Sequence, residues 1–75
     1  MDPKILIERL RQELPPVFTR KFICKFLGGY LTPGGLANMD CAGIGPGGVR
    51  VGKVVLYEKE HFSTWLSRRL SGSVA

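Results

Sequence analysis

Arg20, Lys21, Arg50 and Lys53 are the side chains of this sequence best equipped to do chemistry, and that chemistry is the holding of anions. Guanidinium forks and ammonium groups clamp phosphate oxygens through charge-assisted hydrogen bonds. Arg20 and Lys21 follow Thr19, a good helix cap, and so fall in a first helical turn whose free amides also favour negative charge. Arg50 and Lys53 sit in Val49-Arg50-Val51-Gly52-Lys53-Val54-Val55, two β-branched runs meeting at a glycine. A glycine opening a two-residue connection is what a type II′ hairpin turn requires. Thr32 precedes Pro33 and caps another helix start suited to a phosphate. On that helix Asn38 carries an amide able to pair bidentately with adenine N6 and N7. Gly34 and Gly35 cost about 1 kcal/mol each relative to alanine in a helix interior. Either this helix is marginal and orders on its ligand, or its backbone must come close to one.

Other chemistries find little support. Gly43-Ile44-Gly45-Pro46-Gly47-Gly48 lacks the lysine and hydroxyl residue of a nucleotide-binding loop and does not lead into a helix. His61, Cys24 and Cys41 lack metal-ligand spacing, and no carboxylate pair stands near an activated nucleophile. A non-enzyme without cofactor, metal or small-molecule ligand is expected.

The chain has 75 residues, enough for one domain and one modest core, with stability of about 3–5 kcal/mol. Lys and Arg outnumber Asp and Glu eleven to six, a net charge of +5. Residues 14–57 hold most of the excess, with Arg20, Lys21, Lys25, Arg50 and Lys53 against Asp40 alone. Such a field attracts polyanions, though basic charge also suits membrane surfaces and acidic proteins. Two cysteines do not make a disulfide framework, and no apolar run approaches the roughly 20 residues that span a bilayer. A cytoplasmic protein with reduced thiols is expected.

These residues need elements to position them. Asp2 and Pro3 open a helix to about Glu13 with an apolar stripe of Ile7, Leu10 and Leu14, widened by Leu6; Pro15-Pro16 force an extended exit. The stripe either covers the domain's own core or serves self-association. A second helix from Thr19 places Phe22, Ile23, Phe26 and Leu27 on one face, Arg20, Lys21 and Lys25 on the other, and ends at Gly28 in the left-handed conformation. The third turns Leu36 and Met39 inward. Residues 42–48 read as a loop, and Phe62, Trp65, Leu66 and Leu70 mark a closing amphipathic helix. His61 falls on its surface, and Ser71 to Ala75 form a tail. The expected core draws on Ile5, Leu6, Leu10, Leu14, Phe18, Phe22, Ile23, Phe26, Leu27, Leu36, Met39, Val54, Leu56, Phe62, Trp65 and Leu66.

In this order, Thr19-Arg20-Lys21, Phe26-Leu27-Gly28, Thr32-Pro33, Val49-Arg50-Val51-Gly52-Lys53 and Glu58-Lys59-Glu60 to Trp65-Leu66 resemble the winged helix-turn-helix of the MerR superfamily. The likeness is to its small excisionase-like and AlpA-like DNA-binding proteins of phages and integrated elements, over roughly residues 17–70. The resemblance implies a mainly α fold with a small β-hairpin, preceded here by an N-terminal helix, in a single domain spanning residues 1–75. It implies that the helix at 33–41 enters the major groove while the hairpin reaches an adjacent minor groove or the backbone. Family members usually expose Arg, Lys, Thr or Tyr on the reading helix; here the outward positions are Gly34, Gly35, Ala37, Asn38 and Cys41.

The expected function is therefore double-stranded DNA binding, as an excisionase-type recombination directionality factor or a small prophage-type transcriptional regulator. Implied partners are duplex DNA and either an integrase or further copies of the chain on adjacent sites, with no membrane. The expected DNA contacts are Arg20, Lys21, Thr32, Gly34, Gly35, Asn38, Arg50 and Lys53. The alternative is a protein-interaction adaptor that docks its partner on the Ile7/Leu10 stripe or the bare Gly34-Gly35 surface.

Overall fold

Asp2 caps the first helix by accepting the Lys4 amide at 2.9 Å, and Pro3 supplies a preset backbone angle at its first position. The computed structural model describes residues 2–72. Helix α1 runs over Pro3–Glu13, followed by strand β1 (Val17–Thr19), α2 (Arg20–Phe26), α3 (Pro33–Cys41), β2 (Val49–Val51), β3 (Val54–Glu58) and α4 (Lys59–Gly72). The described chain is thus mainly helical, with a small antiparallel sheet in the order β1-β3-β2. No helix among the described residues is long and apolar enough to cross a membrane.

The hairpin expected at Gly52-Lys53 is present, with Val51 facing Val54 and Arg50 facing Val55. Gly52 has φ of +64°, and no described non-glycine residue has positive φ, as a type II′ turn demands. The third strand was not expected from the sequence. Pro15-Pro16 deliver an extended chain, and Val17, Phe18 and Thr19 then pair with Glu58, Tyr57 and Leu56. Three residues carry too little period to announce a strand; the partner strand creates it.

Both internal helix ends close on left-handed glycines. After α2, Gly28 at φ +67° sends its amide to the Lys25 carbonyl and Gly29 bonds the Cys24 carbonyl; after α3, Gly43 and Ile44 do the same with Asp40 and Met39. This paired pattern satisfies carbonyls that a helix end otherwise leaves orphaned. Glu58 starts α4 by accepting the amides of Glu60 at 2.9 Å and His61 at 3.0 Å. Those two donors hold its carboxyl below the usual carboxylate range. His61 lies on the surface, as expected.

The core differs from the expected set in a systematic way. Ile7, Leu14, Phe18, Ile23, Cys24, Leu31, Leu36, Tyr57, Phe62 and Leu66 are buried, with Leu10, Leu27, Met39, Val55, Trp65 and Leu70 packed against them. Ile5, Leu6, Phe22, Phe26 and Val54, all expected inside, are largely exposed. In β3 the run Val54-Val55-Leu56-Tyr57 is apolar throughout, so alternation leaves the inward phase undecided. Tyr57 and Phe18 are directly paired and both turn inward, which sends Val54 and Leu56 to the other face with Val17, Val49 and Val51. In α2 burial falls on Ile23 and Cys24, leaving Phe22 and Phe26 stacked on each other along the flank at 5.6 Å. Helix α4 also runs further than expected: it continues through Gly72, where a tail was expected from Ser71, and the rest of that expected tail, residues 73–75, lies outside the described residues.

Helix α1 packs against α4. Its stripe serves the domain's own core through Ile7 and Leu14, and Arg11 grips both carboxylate oxygens of Glu60 at 2.8 Å. Leu6, Ile7, Leu10, Leu27, Tyr30, Leu66 and Leu70 leave an apolar cleft between α1, α4 and the end of α2.

Candidate nucleic-acid interface

Helix α2 and the hairpin face each other across a groove of about 490 Å³ lined by Thr19, Arg20, Lys21, Pro33, Arg50, Lys53, Val54 and Val55. Four of the eight expected contacts, Arg20, Lys21, Arg50 and Lys53, thereby meet in one concavity although about thirty residues of chain separate the two pairs. The helix start supplies Arg20 and Lys21 on one wall, the strand and its turn supply Arg50 and Lys53 on the other, and Pro33 brings in the first residue of α3. Lys21, Arg50 and Lys53 belong to exposed positions, so their charge is available to an anion seated there.

Arg20 is differently placed. Its Nε donates to the Tyr57 hydroxyl at 2.9 Å and its Nη2 to Asp40 Oδ2 at 3.0 Å. The Tyr57 hydroxyl in turn donates to the same Asp40 oxygen at 2.7 Å. Three hydrogen bonds thus close a triangle of guanidinium, phenol and carboxylate. The bond to Tyr57 first, and Asp40 after it, raise the Arg20 pKa above the ordinary guanidinium value. Arg20 reaches the groove with its charge already countered, so it is a weaker phosphate clamp than its position in the sequence suggests.

Thr32, which caps α3, and Gly34, Gly35 and Asn38 on the helix itself lie outside the groove lining, on either side of Pro33 in the chain. The Thr32 hydroxyl accepts the Gly35 amide at 3.0 Å, which leaves its O–H free to donate to a phosphate. The two glycines separate in role. A Cβ on Gly35 would sit 2.9 Å from Thr32 Oγ1, so glycine there protects the cap. Gly34 is exposed with open space around it, so nothing in the chain's own packing requires glycine at that position. Asn38 is exposed, so its amide is open to a bidentate hydrogen-bonding partner.

Asp40 and Tyr57 are the residues that the sequence did not single out. Asp40 Oδ1 also accepts the Gly47 amide at 3.2 Å, tying the glycine-rich loop to α3. A Cβ on Gly45 would collide with Asp40, and one on Gly48 with Val55 and Tyr57. The glycines that resemble a phosphate cradle therefore let the loop close around an internal carboxylate. Trp65 fixes the same loop from α4, donating its indole N–H to the Ile44 carbonyl at 2.8 Å. The only available signal was compositional: Asp40 is the one acid among six charged residues between positions 14 and 57.

Burial, reinforced by Asp40, pushes the Tyr57 hydroxyl up to about 12. A raised tyrosine pKa favours the neutral form in the fold. This stabilisation is complete below the unfolded tyrosine value of roughly 10 and is lost progressively as pH rises from there towards 12. Alkaline titration followed by tyrosinate absorbance should show a late phase that coincides with unfolding and is missing in Tyr57→Phe. Full ionisation of both tyrosines before any loss of structure would contradict the buried triangle.

Compared with family models, with curated proteins and with solved structures, the chain finds no significant match in any of the three.

Proposed function

We propose that this protein binds double-stranded DNA without catalysis, with α2 and α3 as a helix-turn-helix and β2–β3 as its wing. The observation that carries this reading is the groove in which Lys21, Arg50 and Lys53 converge beside the start of α3. An interface of cations from two elements flanking a helix N-terminus matches the needs of a phosphate backbone, and phosphate contacts position a protein without reading sequence. Sequence is then read by α3, chiefly by Asn38, with Gly34 allowing the backbone close to the duplex. In a cell such a domain would serve as an excisionase-type recombination directionality factor or a small prophage-type regulator. Both roles rest on the same binding chemistry, and with so few contacts a single copy holds DNA weakly, which favours an integrase or neighbouring copies as co-binders.

The division of labour is testable after selection of bound sequences from a random duplex pool. Lys53→Ala should weaken binding by a similar factor on all sequences and lower the salt slope by about 1. Asn38→Ala should flatten the preference among sequences while leaving that slope in place. Equal loss of preference in both variants would refute the assignment.

A second reading has one observation of its own, the apolar cleft between α1, α2 and α4. A protein-interaction adaptor would use that cleft, and its binding would survive removal of the groove cations.

A further inference from the structure

The hairpin and α3 must present their contacts to one duplex at a defined angle, yet α3 packs chiefly on α2 and has no comparable packing with β2 or β3. One carboxylate bonds to each of the parts that must be aligned. Asp40, in the last turns of α3, accepts from Tyr57 of β3, from Arg20 of α2 and from the Gly47 amide of the loop that leads into β2. Its side chain is only 17% exposed, and that of Arg20 20%, so water competes weakly for these bonds. Gly45 and Gly48 press the loop against this knot with no space for a Cβ.

We propose that Asp40 is the positioning residue of the interface: it fixes the wing relative to α3 and withholds Arg20 from phosphate. The proposal rests on the duplex-binding reading for its consequence but on the hydrogen-bonded knot for its mechanism. With the Asp40 carboxylate in the knot, the wing stands at one angle and the groove presents three uncompensated cations, Lys21, Arg50 and Lys53. Without that charge the wing gains freedom and Arg20 becomes a fourth. The two effects act oppositely on binding. General attraction to polyanions rises, and discrimination between sequences falls because wing and α3 no longer engage in a fixed register.

The test compares the wild-type chain, Asp40→Asn and Tyr57→Phe on a random-sequence duplex pool and by amide exchange in the free protein. Asp40→Asn should steepen the salt slope by about 1, as one further cation meets a phosphate, while sequence enrichment over the pool declines. Tyr57→Phe keeps the Arg20–Asp40 pair and cuts the link to β3, so it should lower enrichment with the salt slope unchanged. In both variants, exchange across residues 49–58 should accelerate by about tenfold, the scale of one lost hydrogen bond to a charged group, with α1 unaffected. Parallel loss of affinity and enrichment with uniformly faster exchange would mean that Asp40 only stabilises the fold, and unchanged enrichment and exchange would mean that it positions nothing; either result overturns the proposal. If Asp40→Asn does not fold, Tyr57→Phe decides the matter alone. Wild-type protein that binds no duplex, with hairpin-confined exchange in the variants, would instead remove the DNA reading and leave the knot's positioning of the wing intact.

Discussion

Phe62→Ala should leave most of the protein unfolded at room temperature. Phe62 is completely buried, meets Phe18 edge-on at 5.5 Å between ring centres, and lies 6.1 Å from Tyr57 and 5.6 Å from Trp65. It is the contact through which α4 holds both inward-facing strand aromatics. Truncating a buried phenylalanine to alanine costs about 3–5 kcal/mol through lost transfer energy and the cavity left behind. A single small core supplies only about that much in total. Circular dichroism and urea denaturation of the variant should show little cooperative transition. Phe62→Leu, which keeps most of the volume, should retain the transition at a lower midpoint. A folded Phe62→Ala protein with an unchanged midpoint would mean that the α4–sheet contact is not central to stability.

Removing both hairpin cations should produce the largest change in binding. On the proposed duplex-binding reading, the double variant Arg50→Ala/Lys53→Ala loses two phosphate contacts, worth about 50- to 100-fold in affinity for random duplex near 0.1 M salt if each contributes a slope of about −0.9. Its stability should barely move. Arg50 and Lys53 are exposed, and among the described residues neither is engaged in a side-chain ion pair that holds the fold. Gel-shift or anisotropy titration alongside thermal melting checks both halves. Unchanged affinity would place the duplex elsewhere on the surface. Lost affinity together with a collapsed melting temperature would show that the hairpin cations support the fold.

What the sequence made legible was whatever depends on near neighbours. The caps at Asp2, Thr19 and Thr32, the left-handed Gly28 and the turn at Gly52-Lys53 each follow from chemistry within three or four residues, and each stands in the structure where that chemistry puts it. The strand phase of Val54 to Tyr57 did not follow, because a run apolar at every position fits either face until Phe18 pairs with Tyr57. Nor did the role of Arg20. Its partners lie 20 and 37 residues away in the chain, and only the packing of α3 on α2 and of α2 beside β3 brings them within hydrogen-bond distance. Gly45 and Gly48 were legible as loop formers, but not as the close contacts that set the loop against Asp40 and Tyr57. The site was therefore readable as a set of cations, while the distinction between those that face solvent and the one held by Asp40 required the fold.

The measurement closest to the central claim is a salt titration of the wild-type chain on a random-sequence duplex. Duplex binding through Lys21, Arg50, Lys53 and the start of α3 predicts clear association at low salt and a straight log–log decline with a slope of about −3 to −4. Absence of binding at low salt, or an affinity indifferent to salt, would contradict it.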